Sequence, residues 1–373
     1  MVTVREVEDK DIIPLAEFLP GGFSYTTKEF WVSLFELWWK SNPAYTDQFP
    51  RGWVLENNAS IVGFIGNIPV KFLIRGEVHI AAIANSWYVD PSVRGLSSLR
   101  LFNEYLKQKH ASLFLFKRGD DKHVLKLLSK YQFEEYILPP SQKEYVYVIN
   151  KRKAGFIFWD FLLKNQIPRL SELGELYKRA GFLVFTYLYQ KSVIPGCVEP
   201  GKTYSSSLCT SCDDSFSRLW EPSLISCEVA LSRDTKTLNW LYFSSARANK
   251  RVVIQCHRSR DKTLAGYMVF DIQRMKPSGE AIMNLMDMCI ENNDPKVLAS
   301  LTSFAIKTGK QNNAALLVVW ANDQETERFF RSTFTLRMNA PHYRYLRFSE
   351  PTEMNSGRDN FHTVCLPLIF PPQ

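Results

Sequence analysis

This sequence predicts two consecutive α+β domains, each a mixed, mostly antiparallel sheet flanked by helices. Three observations carry that expectation. The 373 residues are too many for one ordinary core and suit two domains of roughly 150 residues with a connector. The apolar spacing switches repeatedly between the two-residue period of strands and the 3.6-residue period of helices. The order of elements in the first half then recurs in the second, which is an internal duplication.

Composition narrows the function classes. With 45% hydrophobic and 14% aromatic residues, the chain can bury sizeable cores, and wholesale disorder is excluded. The formal net charge of +8 favours anionic partners: a nucleotide-bearing cofactor, nucleic acid or an acidic membrane surface. The charges are scattered, which makes nucleic acid the minor expectation among these. Seven cysteines are an odd number and too few for a disulfide framework in so long a chain. The amino terminus has no apolar signal region. The longest apolar runs, 156–163 and 180–189, fall well short of the roughly 20 residues that cross a bilayer. A cytoplasmic protein in a reducing compartment is expected.

In the first half, Val2 to Val7 alternates and suits a strand. Asp9 to Leu19 follows as a helix with acidic residues at its start, ended by Pro20-Gly21-Gly22. Lys28 to Lys40 is a second helix, dense in Phe30, Trp31, Phe35, Trp38 and Trp39, and Asn42-Pro43 stops it. Strands follow at Gly52–Glu56 and Ser60–Ile74, joined by the turn Asn57-Asn58, and Arg75-Gly76-Glu77 turns into a third. A helix from Ser97 to Lys107 buries Leu99, Phe102, Tyr105 and Leu106. Leu113 to Lys117 is a fully apolar strand, as in the middle of a sheet covered on both faces. Asp121 to Tyr131 is a helix, and the strand Tyr145–Ile149 closes a domain spanning 1–150.

Residues 151–207 read as a helical connector and linker: two aromatic helical pieces, then a Pro/Gly/Ser/Thr stretch without periodicity. The second domain, 208–350, repeats the order. A helix begins at Phe216, and Arg233 to Phe243 matches the aromatic helix of the first half. Strands follow at Arg251–Gln255, Thr263–Ile272 and Ala281–Ile290. A helix opens at Asp294-Pro295, proline at its first position and Gly309 just past its end. The strand Ala315–Trp320, a helix at Gln324–Arg331 and a strand at Tyr343–Phe348 complete it, leaving 351–373 as a tail.

The stretch Ile80 to Phe102 organises the first half. It reads as an apolar strand, a proline turn, a small-residue loop and the start of a helix. The first amides of a helix lack intrahelical acceptors and carry partial positive charge, so a strand feeding a helix in this way forms an anion site. Arg94 adds a full charge there.

With those elements in place, the first half resembles the GNAT acyltransferase superfamily. Val89-Asp90-Pro91-Ser92-Val93-Arg94-Gly95 is similar to that family's cofactor motif, Trp38-Trp39-Lys40-Ser41-Asn42-Pro43 to its Asn-Pro after an aromatic helix, and Ile61-Val62-Gly63-Phe64 to the strand beside the cofactor strand. The resemblance covers 1–150. Over 208–348 it rests on element order, with Leu264-Ala265-Gly266 as the best local match. What it implies is acyl transfer from acetyl-CoA or another acyl-CoA. Pantetheine would lie along Trp87, Tyr88 and Val89, and the pyrophosphate on amides of Arg94, Gly95, Leu96, Ser97, Ser98 and Leu99. The family places glycine at the positions of Ser97 and Leu99. Its frequent tyrosine acid corresponds to Leu128, with Tyr131 one turn away. The second half has Asn292-Asn293-Asp294-Pro295-Lys296 in place of the Arg-Gly loop and Phe329 in place of the tyrosine, so it is not expected to bind CoA.

Candidate catalytic groups are Tyr88 and Tyr131, as acids for the leaving thiolate, and Asn85; Glu77, His79 and Asp90 are further polar groups near an acceptor. Tyrosines in such positions also serve simply as packed side chains with a satisfied hydroxyl. Cys209-Thr210-Ser211-Cys212 has the spacing of half a zinc site, which Cys227, Cys256 and His257 would have to complete; free thiols and no metal are the expectation. His110, His123, His342 and His362 are isolated. The runs 156–163 and 180–189, with Lys151, Arg152, Lys153, Arg179 and Lys191 beside them, fit either packing between domains or contact with a membrane surface. Three functions stay open: an acyltransferase acting on an amine or hydroxyl of a small molecule or peptide, an inactive binding or scaffold protein, and a transferase using aminoacyl-tRNA.

Overall fold

The computed structural model describes residues 2–117, 122–137, 143–165, 203–222, 229–244, 251–276, 278–321, 323–334, 336–339, 343–349 and 361–362. In chain order the first half gives β1 (Thr3–Glu6), α1 (Ile12–Phe18), α2 (Lys28–Phe35, continued by a π turn to Lys40), β2 (Gly52–Asn57), β3 (Ser60–Ile74) and β4 (Glu77–Val89). Next come α3 (Leu96–Lys107), β5 (Leu113–Lys117), α4 (Lys122–Lys130), β6 (Glu134–Ile137), β7 (Lys143–Val148) and α5 (Lys151–Asn165). The second half gives β8 (Tyr204–Cys209), α6 (Asp214–Trp220), β9 (Val229–Leu231), α7 (Thr235–Phe243), β10 (Arg251–Arg258), β11 (Leu264–Arg274) and β12 (Ala281–Ile290). It ends with α8 (Pro295–Gln311), β13 (Ala314–Trp320), α9 (Gln324–Thr333), β14 (Leu336–Asn339), β15 (Tyr343–Phe348) and β16 (Phe361–His362).

These elements form two compact units. One draws on Met1–Leu138, Glu221–Ala248 and His342–Gln373, the other on Pro139–Trp220 and Asn249–Pro341. The first unit's sheet runs β1-β2-β3-β4-β5-β15-β6, with β9 beside β3 and β16 beside β9. The second runs β14-β7-β13-β12-β11-β10-β8. Each is antiparallel except for a central parallel pair, β4 with β5 and β12 with β13, and the short β16–β9 pair. The mixed α+β architecture expected from the sequence is therefore present twice.

In the first unit, α3 and α4 cover one sheet face, burying Leu55, Ile65, Ala82, Leu101, Phe102 and Phe114. On the other face the aromatic helix α2 sets Trp31, Phe35 and Trp38 in mutual ring contact, with Phe35 also against Phe64. Buried Asn42 ends this helix: its Nδ2 donates to Trp38 O and Pro69 O, and its Oδ1 accepts from the amide of Ala44. In the second unit α8 and α9 cover Met268, Phe270, Leu301, Leu317 and Phe330. Ala154 of α5 packs against Val146, Val148 and Ala315 on the opposite face.

The structure corrects three expectations. The strand around Tyr145–Ile149 does not close the first sheet. It is β7, paired with β13 and β14 in the second, and β15 from the far end of the chain takes the corresponding place between β5 and β6. Alternating apolar residues specify a buried strand but not the edge it joins, and sequence adjacency points to the wrong one. The same holds for α7, which belongs to the first unit, where Trp240 Nε1 donates to Leu37 O at 2.7 Å. Finally, Ser205-Ser206-Ser207, expected as linker, lies in β8, an edge strand half of whose residues are exposed and which pairs with β10 on one side. The run 180–189 and the residues beside it lie outside the described residues. Among the described residues no helix is long and apolar enough to cross a membrane.

Asn42→Ala removes three buried hydrogen bonds and leaves two carbonyls and an amide without that partner, so a loss of about 1–3 kcal/mol is expected. Denaturant unfolding checks this, with the midpoint lowered and the slope unchanged.

Candidate functional site

The site begins where two parallel strands part. β4 and β5 pair at Ala81–Leu113, Ala82–Phe114 and Ile83–Leu115. Beyond that, β5 continues beside β15, whereas β4 runs on to Val89 beside β3 alone among the described strands. At the parting sits Tyr105 of α3, with no exposed surface. Its hydroxyl donates to Ala82 O at 2.8 Å, and its oxygen faces the backbone amides of Ala84 and Leu115. Burial pushes this phenol far above its ordinary range, and those amides offset only part of the effect. Tyr105 therefore stays protonated and supplies polar partners where the strand ladder ends.

Past the parting, β4 carries a bulge. Gly66 pairs with Asn85 and Phe64 with Tyr88, so Ser86 and Trp87 together face the single residue Ile65. Ser86 has φ +52°, the left-handed conformation that a bulge of this kind requires. The bulge decides which side chains share a face. Trp87 turns toward α3 and stacks on Phe102 at 5.2 Å. Tyr88 turns to the opposite face, against Phe18 and Phe23 at 5.1 and 6.1 Å. Gly22 gives Tyr88 its room, since a Cβ there would lie 2.4 Å from the ring.

After Val89 the chain makes a structured loop. Asp90 Oδ1 accepts from the amide and hydroxyl of Ser92, which hold the Asp90 carboxyl below its usual range. Arg94 Nε donates to Val89 O at 2.8 Å, and its guanidinium lies 5.9 Å from the centre of the Tyr88 ring. Gly95 has φ +97°, and a Cβ there would touch nothing within 4 Å. The backbone angle, not space, calls for glycine. The amides of Ser98 and Leu99 both point to Gly95 O, at 3.1 and 3.4 Å, and those before them in the first turn have no intrahelical acceptor.

The sequence candidates therefore divide. Trp87, Tyr88, Val89, Arg94, Gly95, Leu96, Ser97, Ser98 and Leu99 form one continuous strand–loop–helix path. Asn85 is buried at the bulge and accepts from Ser86 Oγ at 3.0 Å. Tyr131 is not brought to Tyr88. It lies on the α3 face, edge-on to Phe102, and its hydroxyl donates to Asn103 Oδ1 at 2.6 Å. Glu77 and His79 stand at the other end of β4, roughly 30 Å away at about 3.3 Å per residue. Tyr105, Ser86, Gly22 and Asn103 were not legible as site residues. Tyr105 reads as one more apolar position on a helix face, and a bulge leaves no sequence mark here beyond Asn85-Ser86.

No family model and no curated protein matches the sequence. Solved structures do match the fold. A conserved protein of unknown function from Enterococcus faecalis V583, described as a probable N-acyltransferase, aligns over 94% of this chain and 73% of its own, at 11% identity and TM-score 0.57. A GCN5-related N-acetyltransferase from Anabaena variabilis ATCC 29413 aligns over the same shares at 10% identity and TM-score 0.57. Saccharomyces cerevisiae N-myristoyltransferase with bound myristoyl-CoA aligns over 94% of this chain and 83% of its own, at 13% identity and TM-score 0.54. The chain has the tandem GNAT fold.

The second GNAT unit keeps the backbone plan and changes the chemistry. β12 and β13 pair as far as Asn284–Val318, but Trp320 Nε1 then donates across to Leu285 O at 2.8 Å. The indole bridges the space that the first unit leaves between its strands. Asp294 stands at the N-cap of α8, the place of Gly95, and accepts from the Lys296 amide and the Tyr204 hydroxyl, at 2.8 and 2.7 Å. A carboxylate thus caps the helix start there and disfavours a second negative charge beside it.

Tyr105→Phe keeps the ring and removes the hydroxyl from the parting. A loss of about 1–3 kcal/mol is expected, because Ala82 O stays buried without its donor. Chemical denaturation measures the loss, and amide exchange at Ala84 and Leu115 locates it: faster exchange there than elsewhere in β4 is the expected pattern.

Proposed function

We propose that the chain is an acyl-CoA-dependent N-acyltransferase whose first GNAT unit binds the acyl donor. The observation that carries this reading is the continuous path from the β4–β5 parting to the Gly95 turn and α3. It offers strand backbone freed from its neighbour, then helix amides without intrahelical acceptors, then the cation Arg94. Backbone along Trp87, Tyr88 and Val89 would hold the pantetheine amides. Of the amides from Arg94 to Leu99, those as far as Ser97 have no intrahelical acceptor and would take the pyrophosphate. Acetyl is the favoured acyl group, because the face shared by Asn85 and Tyr88 is already filled by fully buried Trp31, Trp38 and Phe64.

The chemistry asked of the protein is modest. An amine of a small molecule or peptide attacks the thioester carbonyl, a hydroxyl being the less reactive acceptor. The site holds the two in line, and a backbone donor near the bulge steadies the developing oxyanion. The leaving thiolate takes a proton, for which Tyr88 is better placed than Tyr131. Tyr88 sits on β4 beside the loop, whereas the Tyr131 hydroxyl is already committed to Asn103.

Thermal unfolding with acetyl-CoA tests the reading. A donor at about a hundred times its dissociation constant stabilises by about 2.7 kcal/mol, a rise of a few degrees. Arg94→Glu is expected to abolish the rise, and acyl groups longer than a few carbons to reduce it. Absence of any shift with acetyl-CoA and longer acyl-CoAs overturns the proposal. A shift without turnover on any amine or hydroxyl acceptor would leave a binding protein. Tighter binding to tRNA, falling steeply with salt, would favour the aminoacyl-tRNA alternative.

A further inference from the structure

The second unit contains a pair of thiols that the proposed acyl transfer does not use. Cys209 is the last residue of β8, opposite Val253 of β10, and Cys212 follows in the turn that leads into α6. Both are reduced and largely buried, with exposures of 9% and 6%. Their sulfurs are joined by a hydrogen bond, and Cys209 Sγ also lies 3.0 Å from Ser211 O. The chain of donors thus runs from Cys212 to Cys209 to a backbone carbonyl. Among the described residues no group of three His, Cys, Asp or Glu gathers to hold a metal. What this turn offers is two adjacent sulfurs.

Their surroundings divide the roles. The bond from Cys212 pulls the Cys209 thiol below its ordinary range despite burial. The same bond, burial and the nearby Asp213 and Asp287 carboxylates push Cys212 far up. Asp287 is itself fully buried and accepts from the Tyr267 hydroxyl at 2.9 Å, and Tyr267 packs against Phe216 of α6 at 5.3 Å. Of the two, Cys209 gives up its proton more readily and Cys212 less readily.

We propose that Cys209 and Cys212 form a reversible dithiol–disulfide site, oxidised by a small peroxide able to reach thiols of low exposure. The Cys209 thiolate attacks one peroxide oxygen, the O–O bond breaks, and the departing hydroxide takes a proton to become water. This leaves a sulfenic acid on Cys209. The Cys212 sulfur then attacks Cys209 Sγ, the S–O bond breaks, and the hydroxide leaves with the Cys212 proton as a second water. In balance, two thiols and one hydrogen peroxide give one disulfide and two waters, and any dithiol reductant reverses the change.

The full chain carries a convenient readout. Cleavage after Lys and Arg releases 203–218, which holds Cys209 and Cys212 and no other cysteine. After brief treatment of the folded protein with hydrogen peroxide, this peptide is expected to lose two hydrogens and both alkylation sites, and dithiothreitol to restore them. In Cys212→Ser the sulfenic acid on Cys209 should persist long enough to be trapped by dimedone. In Cys209→Ser the remaining Cys212 should react about tenfold or more slowly. Circular dichroism of each variant confirms that it is folded. The proposal is overturned if both thiols stay alkylatable after peroxide treatment, or if Cys209 pairs instead with a cysteine outside the peptide. It is equally overturned if protection from alkylation requires zinc and disappears with a chelator.

Discussion

One hydrogen bond at the parting of β4 and β5, from Tyr105 to Ala82 O, is the contact on which the candidate site depends. Parallel strands of apolar residues gain backbone bonds by continuing side by side, so a parting in the middle of a sheet needs a reason. Here a side chain from the helix that packs over both strands makes up part of what is lost. Tyr105 supplies a donor to Ala82 and an acceptor toward Ala84 and Leu115, which offsets part of the ladder that β4 and β5 forgo. Its ring packs between Trp53, Phe102, Phe114 and Phe116. The helix that begins at the Gly95 turn therefore also carries the side chain that serves the end of the ladder.

The duplication supplies an internal comparison. Both units have a central parallel pair that parts, a 3₁₀ turn after the first strand and a long helix after the turn. Backbone geometry alone thus does not make a ligand site. In the second unit Trp320 bridges from β13 to Leu285 O, Asp294 caps the helix start, and α8 contains no tyrosine. Arg258 pairs with Glu291 at the turn, so the charges there satisfy one another. Each change is local, and together they place the second unit's own side chains at the strand parting and the helix start.

Most helices and strands were legible because periodicity and punctuation are local signals. Asn42-Pro43 ends an aromatic helix, Asn57-Asn58 turns a hairpin, and Asp294-Pro295 starts a helix, each for reasons contained in a few residues. The partners of those elements were not legible. β7 and β15 have the alternation of buried strands, but nothing in Tyr145-Val146-Tyr147-Val148 says that its neighbour is Ala314–Trp320 rather than Leu113–Lys117. The candidate loop was legible because Arg94 and Gly95 are unusual at the start of a helix. The bulge was not, since Ser86 adopts a positive φ without being glycine. That one extra residue places Tyr88 and Asn85 on the same face and turns Trp87 to the other, which strict alternation along β4 would have done differently.

Leu99 shows how the geometry refines a question that sequence alone raised. A leucine where the related fold carries glycine suggests a crowded phosphate position. Yet its amide already points to Gly95 O, one turn back along α3, so Leu99 contributes little as an anion donor. The amides still open to a ligand are those nearer the start of the helix, beside Leu96 and Ser97, where the Leu96 side chain is 77% exposed. The Leu99 side chain is half-buried, so what the leucine changes is the surface beside the loop and not the amides of the first turn.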